Sequence, residues 1–213
     1  MYIEVAFKLC VTALLTSSLH QYFCSKPDGV EYSDKKLQDF VRKIFVDHRI
    51  DKPVFLREVD SAFNGKKMAG SAETYDRYEI FIPKNAPFTE AELYFVVTHE
   101  LGHIANYHPK MFNLLIFLNL SSSLLLNSSI PSSLINVFAT LIFILSIYRL
   151  LEYQADQFAF TQAPIEMLEK AFEAEKDKNV HGNGWMNFFL PSSQARIAQL
   201  NTALTERKQI FPN

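Results

Sequence analysis

The stretch that decides the fold is FTEAELYFVVTHELGHIANY, residues 88–107. Thr89 can act as a helix N-cap, and Glu92 three residues later completes a capping box, in which each residue satisfies a backbone N–H group of the other. These signals predict a helix that begins after Thr89 and runs to about Tyr107. Pro109 discourages its continuation beyond that point.

Inside this predicted helix, His99, Glu100 and His103 form the pattern His-Glu-x-x-His. Residues four apart lie on one helix face, so both imidazoles can reach a single metal ion. Zinc lowers the pKa of a bound water to about 7, and Glu100 can accept the proton as a general base. The alternative is an exposed amphipathic helix that carries two histidines by chance. Because most of this helix is apolar, a buried His-Glu-His set would be costly without a metal as its partner.

A catalytic zinc site needs a third protein ligand and an open position. The best candidate is Glu152, which Asp156 follows four residues later on the same predicted helix face. Glu152 could bind the metal while Asp156 accepts a hydrogen bond from a ligating imidazole. Taken alone, the two carboxylates could equally be solvated charges on an exposed face. Three other histidines have no comparable neighbours and are predicted to be surface or helix-end residues: His20, His48 and His108.

The chain has no charged side chain between Lys110 and Arg149. Two apolar runs fill this stretch, Met111 to Leu126 and Leu134 to Leu151, with a short polar segment between them. Soluble domains rarely leave so long a stretch uncharged, and each run is near the length that crosses ~30 Å of hydrocarbon. We therefore expect an inserted transmembrane helical hairpin at about residues 111–150. The alternative is a pair of buried core helices in a soluble protein.

The remaining sequence predicts a soluble, mainly helical domain with a small sheet. Residues 1–25 are apolar on balance and are expected to form an N-terminal membrane anchor or signal segment, with an amphipathic helix lying on the membrane surface as the alternative. Apolar periodicity and alternation beyond residue 25 predict further helices and strands. These are a helix from Asp34, strands over Pro53–Val59 and Tyr75–Ile82, and helices over Pro164–Lys176 and Ser192–Arg207.

Charge and cysteine content exclude two classes of function. The formal net charge is -2 and no basic stripe is visible, so no nucleic-acid partner is expected. Cys10 and Cys24 are the only cysteines and both lie near the N-terminus. They cannot build a disulfide framework for the rest of the chain, and their spacing does not suit a metal site.

The two motifs together resemble those of the HtpX-like membrane zinc metallopeptidases, relatives of the CAAX prenyl endopeptidases. The matching text is THELGHI at residues 98–104 and RLLEYQADQFA at residues 149–159, with the apolar hairpin between them. The resemblance covers about residues 60–200. It implies a zincin-type α+β fold, one zinc ion per chain, and endopeptidase activity on polypeptides, often membrane proteins. It also implies that Tyr75–Ile82, preceded by MAGSA at residues 68–72, is the segment that supplies the edge strand for extended substrate backbone.

One departure from that family lies near the C-terminus. The family commonly has His-Pro-x-x-x-x-Arg, whereas this chain has Leu190-Pro-Ser-Ser-Gln-Ala-Arg196. Arg196 fits the pattern, but Leu190 occupies the histidine position. Loss of one oxyanion donor can cost ~10²–10³ in rate. His181, beside a glycine loop, is a candidate substitute, so His181 and Arg196 are the predicted substrate or oxyanion contacts.

The leading hypothesis is a membrane-associated zinc endopeptidase, with residues 26–213 as its metallopeptidase domain. Its metal ligands would be His99, His103 and Glu152. The hairpin must return the chain to the side that it left, and the cations at its two ends predict a cytoplasmic active site on a bacterial inner-membrane type of protein. One alternative is a metal-binding but catalytically weak membrane adaptor or quality-control protein. Another is a helical membrane protein without metal.

Overall fold

A computed structural model describes most of the chain, namely residues 11–20, 22, 29–60, 69–84, 88–125, 130–178 and 193–210. The helices are α1 (11–20), α2 (Lys35–Asp47), α3 (Glu90–Ala105), α4 (His108–Leu125), α5 (Ile130–Gln162), α6 (Ile165–Lys178) and α7 (Ser193–Ile210). The strands are β1 (Val30–Glu31), β2 (Val54–Val59), β3 (Gly70–Glu73) and β4 (Tyr78–Pro83). The prediction of a mainly helical fold with a small sheet is therefore confirmed.

The described strands form one mixed sheet in the order β1-β2-β4-β3. β2 and β4 pair in parallel, whereas β1 pairs with β2, and β3 with β4, in antiparallel fashion. The prediction that Tyr75–Ile82 forms the edge strand is wrong, because β4 lies between β2 and β3, but residues 68–72 of the predicted segment overlap the strand at the edge. The edge belongs to β3, whose sequence Gly-Ser-Ala-Glu lacks the β-branched and aromatic residues that mark a strand.

The apolar face of the sheet and helices α2 and α3 enclose the main core. Tyr78, Ile80 and Ile82 alternate along β4 and are buried, as the period-two pattern predicts. They pack in one cluster with apolar residues of the two helices: Leu37, Val41 and Ile44 from α2, and Val97, Leu101 and Ile104 from α3. This core fixes the position of α3 on the sheet. Because the apolar face of α3 is buried against the sheet, the direction in which its polar face points is fixed as well.

Helix α3 begins as its sequence predicts and ends earlier. The Thr89 hydroxyl accepts a hydrogen bond from the backbone N–H of Glu92, and the Glu92 carboxylate accepts one from the backbone N–H of Thr89. The last helical residue is Ala105, and Tyr107 has φ 58°. A non-glycine residue in this left-handed region redirects the chain. Helix α4 then begins at once, so the two helices are joined by a sharp bend.

Helices α4 and α5 correspond to the two predicted apolar runs. α5 is a single helix of 33 residues, so the second apolar run is continuous with the helical segment that carries Glu152 and Asp156. Near the bend, the rings of Phe112 and Tyr148 lie 6.4 Å apart between centroids, so the start of α4 packs beside the second half of α5.

The predicted transmembrane hairpin is not confirmed. Within the described part of the chain, no helix combines the length and the apolar character that crossing a bilayer requires. The side chains of much of residues 119–146 lie outside the described set. The division into residues 1–25 and 26–213 stays a prediction. Of the N-terminal segment, the structure describes α1 and residue 22.

Candidate metal centre

The metal centre depends on a close approach of α3 and α5. A Cβ atom added to Gly102 would lie 2.9 Å from the Cα of Ala155 and 2.9 Å from the Cβ of Phe158. Any side chain larger than hydrogen would therefore push the helices apart. Gly102 therefore allows α5 to approach α3 closely. This contact brings Glu152 on α5 opposite the histidines of α3.

The structure brings His99, His103 and Glu152 together, and all three are buried. The Nε2 atoms of the two histidines are 3.1 Å apart, and each lies 3.4 Å from an oxygen of Glu152. Ligands at about 2.0–2.1 Å from a tetrahedral zinc ion would be separated by roughly 3.3 Å. The donor set and its spacing therefore fit one divalent ion.

The electrostatics of the three groups also suit a cation. Burial disfavours the charged form of His99, but hydrogen bonds to Asp156 and Glu152 outweigh burial and raise the pKa of His99 to about 9. Burial likewise opposes the charge of Glu152, yet hydrogen bonds from His103 and His99 hold the pKa of that carboxyl well below its usual range. Both pKa shifts show that the surroundings of these groups favour a positive charge.

Asp156 lies where the sequence predicted, behind the first histidine. Its side chain is fully buried, and Nδ1 of His99 donates to Oδ1 of Asp156 at 2.8 Å. This hydrogen bond leaves Nε2 of His99 free to bind a metal, because a neutral imidazole carries its proton on one nitrogen only.

His108 is a helix-end residue, as predicted, because it begins α4, but the prediction of an ordinary surface residue is wrong. Its side chain is 3% exposed, with Nδ1 at 2.8 Å from Nδ1 of His103 and Nε2 at 3.0 Å from Oε1 of Gln154. Burial, and then the neighbouring His103, lower the pKa of His108 to about 4. The left-handed conformation of Tyr107 turns the chain so that His108 meets His103. Pro109 predicted the end of the helix near Tyr107, but the sequence did not predict the direction that the chain takes after it.

The carboxylate of Glu100 has a partner on the sheet. The hydroxyl of Ser71, on the edge strand β3, donates to Oε2 of Glu100 at 2.7 Å. Glu100 is buried, with 9% of the residue exposed. Sequence reasoning missed Ser71, because a single serine in a short strand of small residues carries no signal of its own.

A cleft of about 950 Å³ opens beside the metal centre. Glu100, His103, His108 and Glu152 contribute to one wall, and the whole of β3 lines the cleft. The remaining walls are largely apolar and come from α1 and α4, through Leu15, Leu19, Phe112 and Phe117. An extended chain lying in this cleft would run along the unpaired edge of the sheet.

The predicted C-terminal contacts lie beyond what the structure describes. His181 and Leu190 are outside the described residues, and Arg196 belongs to α7 without a described side chain. The roles proposed for His181 and Arg196 therefore stay predictions.

Comparisons with known proteins identify relatives of this arrangement. A family model, Peptidase family M48, matches residues 55–203 and so spans both halves of the metal centre. The crystal structure of S. mikatae Ste24p is similar with a TM-score of 0.49 and 19% sequence identity, over 95% of this chain and 57% of that one. The chain thus spans little more than half the length of that structure. Among curated proteins, none matches the sequence.

Proposed function

The chain belongs to peptidase family M48, and on that premise we propose that it is a membrane-associated zinc endopeptidase acting on extended polypeptides. The sequence-based predictions of the family and of a metallopeptidase are confirmed by the match. The observation that carries the proposal is the convergence of His99, His103 and Glu152 from two helices on one point.

The donor set supports zinc as the metal. Two imidazole nitrogens and one carboxylate oxygen are a common set of protein ligands in catalytic zinc sites, which keep a further position open. Zinc at this centre would supply a Lewis acid that polarises a peptide carbonyl and makes a bound water more acidic. The chain's own groups would hold the ion, and Asp156 would keep His99 in the correct tautomer.

Glu100 is the proposed general base. It lies next to the ligand His99 in sequence and lines the cleft. Its carboxylate would take a proton from the attacking water and return it to the leaving amine, as general acid–base catalysis requires. The hydrogen bond from Ser71 fixes one oxygen of this carboxylate and leaves the other to act.

The edge strand β3 is the proposed binding site for the substrate backbone. Among the described strands, β3 pairs with β4 alone, from Gly70 opposite Phe81 to Glu73 opposite Tyr78. Its other edge offers backbone N–H and C=O groups to an added strand. The apolar walls from α1 and α4 favour apolar substrate side chains, and this supports membrane proteins as substrates.

Membrane association is proposed from exposed apolar side chains on α4 and α5. Large apolar residues rarely gather on exposed helix surfaces in soluble domains. The exposed ones on these two helices are Leu114, Ile116, Phe117, Leu118, Ile135, Phe138, Ile142, Phe143 and Leu150. Together with the uncharged sequence from 111 to 148, they support contact with lipid.

The test is a peptidase assay on denatured and membrane-protein substrates, with and without a chelator, beside the Glu100→Gln variant. We expect chelation to abolish cleavage, added zinc to restore it, and Glu100→Gln to lower kcat by roughly 10²–10⁴-fold with metal affinity retained. Full activity of Glu100→Gln would refute the proposed base. Stoichiometric zinc without turnover would instead favour the catalytically weak adaptor, which Leu190 at the usual histidine position suggests.

A further inference from the structure

The ligand His103 holds its second ring nitrogen against another histidine rather than against a carboxylate. Its Nδ1 lies 2.8 Å from Nδ1 of His108, and Nε2 of His108 lies 3.0 Å from Oε1 of Gln154. We propose that His108 and Gln154 are a positioning pair that fixes His103 as a metal ligand. This inference rests on the proposed function, because it requires a metal ion at His103.

Metal binding fixes the direction of both hydrogen bonds. An ion bound to Nε2 of His103 takes the lone pair of that atom, so the ring proton sits on Nδ1. His103 then donates to Nδ1 of His108, which must accept, and the proton of His108 sits on Nε2. That N–H donates to the carbonyl oxygen of Gln154. Each donor therefore meets an acceptor, and only one tautomer of each ring satisfies the arrangement.

The burial of His108 makes its hydrogen bond with His103 hard to exchange for water. Its side chain is 3% exposed, and its ring stands nearly edge-on to that of His103, with centroids 5.0 Å apart and an interplanar angle of 70°. A buried imidazole that lost its partners would leave polar atoms unsatisfied. The bend at Tyr107 holds His108 in this place, directly after the helix that carries His103.

Helix α5 thereby anchors both imidazoles as well as supplying a ligand. Asp156 accepts directly from His99 at 2.8 Å, whereas Gln154 holds His103 through His108. Glu152, Gln154 and Asp156 all lie within a five-residue stretch of α5. The two histidines consequently differ in their support, since one faces an anion and the other a neutral ring.

The test measures metal binding and not only catalysis. Cobalt(II) is the probe, because its visible spectrum depends on the number and geometry of its ligands. In the full chain, His108→Leu removes the acceptor, whereas His108→Asn keeps an oxygen acceptor near the position of Nδ1. We expect His108→Leu to weaken cobalt affinity roughly 10–100-fold and to change the spectrum. We expect His108→Asn to restore most of both.

Gln154→Met provides a second variant that does not alter a buried ring. It removes the outer acceptor at similar side-chain volume, and Gln157→Met three residues later on α5 is the matched control. We expect a weaker cobalt affinity for Gln154→Met and the wild-type affinity for Gln157→Met. Circular dichroism and thermal unfolding would show that each variant is folded.

The outcomes separate this inference from the proposed function. Wild-type cobalt affinity and spectrum in both His108→Leu and Gln154→Met would overturn the positioning pair and leave the peptidase proposal standing. Equal losses in His108→Leu and His108→Asn would overturn it too, because packing alone would then explain them. Cobalt binding by the wild type without any peptide cleavage would refute only the proposed function, and failure of the wild type to bind any divalent ion would refute both.

Discussion

At the scale of single residues, hydrogen-bond partners determine which ring nitrogen carries the proton in each histidine of the candidate metal centre. His99, Glu100 and His103 could be predicted from sequence because their relation is local to one helix. Ser71 and His108 could not, since a strand edge and a left-handed residue bring them to the site. Sequence spacing thus predicted the candidate ligands, whereas the groups that orient them depend on the tertiary path of the chain.

The first prediction at this scale concerns Ser71, whose hydroxyl donates to Glu100 at 2.7 Å. Replacement with alanine should lower kcat by about one order of magnitude, because the base loses a hydrogen bond to its charged form. Metal affinity should not change, since Ser71 contacts no candidate ligand. Steady-state kinetics and metal titration check both expectations. Ser18→Ala, on α1 across the same cleft, is the control, and an equal effect there would contradict the assignment.

A second residue-scale prediction is the pH dependence of metal affinity. Without metal, the pKa of His99 is raised to about 9, so below that pH the ion must displace a proton. Raising the pH from 7 towards 9 removes this competition, and binding should tighten by about tenfold per pH unit. The pKa values of His108 and Glu152 are lowered and lie below this window.

Competition with a chelator across that pH range measures the slope. Calorimetry at pH 7 in two buffers with different ionisation enthalpies should also show that a proton is released when the metal binds. An affinity that stays flat between pH 7 and 9 would mean that His99 is not protonated in the metal-free protein.

At the scale of elements, predictions succeeded where a short stretch of sequence contains a capping motif or a regular alternation of apolar residues. The capping box at Thr89 and the alternation along β4 are examples. β1 escaped prediction because two residues carry no period, and β3 because its residues are small. A bend separates α3 from α4, although the apolar pattern alone would not separate these two helices. α5 is one helix that contains both the second apolar run and the segment with Glu152 and Asp156.

The contact between α3 and α5 yields a prediction for Gly102. Alanine in a helix is normally more stabilising than glycine by about 0.5–1 kcal/mol. At Gly102 the added methyl group would lie 2.9 Å from atoms of Ala155 and Phe158. We therefore expect Gly102→Ala to reduce the free energy of unfolding by about 1–3 kcal/mol and to weaken metal binding, since Glu152 moves away from the histidines.

Urea unfolding of the metal-free protein and zinc titration test this sign reversal. Thr202→Ala introduces alanine at an exposed position of α7 and should not destabilise the protein. A Gly102→Ala protein that is more stable than the wild type, with unchanged zinc affinity, would show that the helices can separate without loss.

At the scale of the whole molecule, one chain combines a part that carries the buried candidate metal centre with a part made of two apolar helices. We predict that the protein floats with neutral phosphatidylcholine vesicles in a density gradient, because its exposed apolar side chains can enter lipid. Phe138→Lys combined with Phe143→Lys should abolish flotation. Each phenylalanine that passes from water into lipid contributes roughly 1.5–3 kcal/mol to the free energy of membrane binding. Both side chains are more than half exposed, at 60% and 53%.

The matched control for flotation is Val46→Lys, which changes an exposed apolar residue on α2 rather than on α4 or α5. It should float like the wild type. Persistence of flotation in the double variant would show that another surface binds lipid. Neutral vesicles are needed because the chain has a formal net charge of -2, which would otherwise repel anionic lipid.

Because α5 is one continuous helix, it fixes both the distance and the rotation about the helix axis between its apolar residues and Glu152. Each residue of an α-helix advances the chain by about 1.5 Å and turns it by about 100°. Deleting one residue near Thr140 would therefore swing Phe138 and Ile135 about 100° around the axis relative to Glu152. An insertion or deletion within this helix keeps the apolar residues and Glu152 on the same relative faces only when it adds or removes close to a whole number of helical turns. We therefore expect related chains to vary in length at the ends of this helix rather than within it.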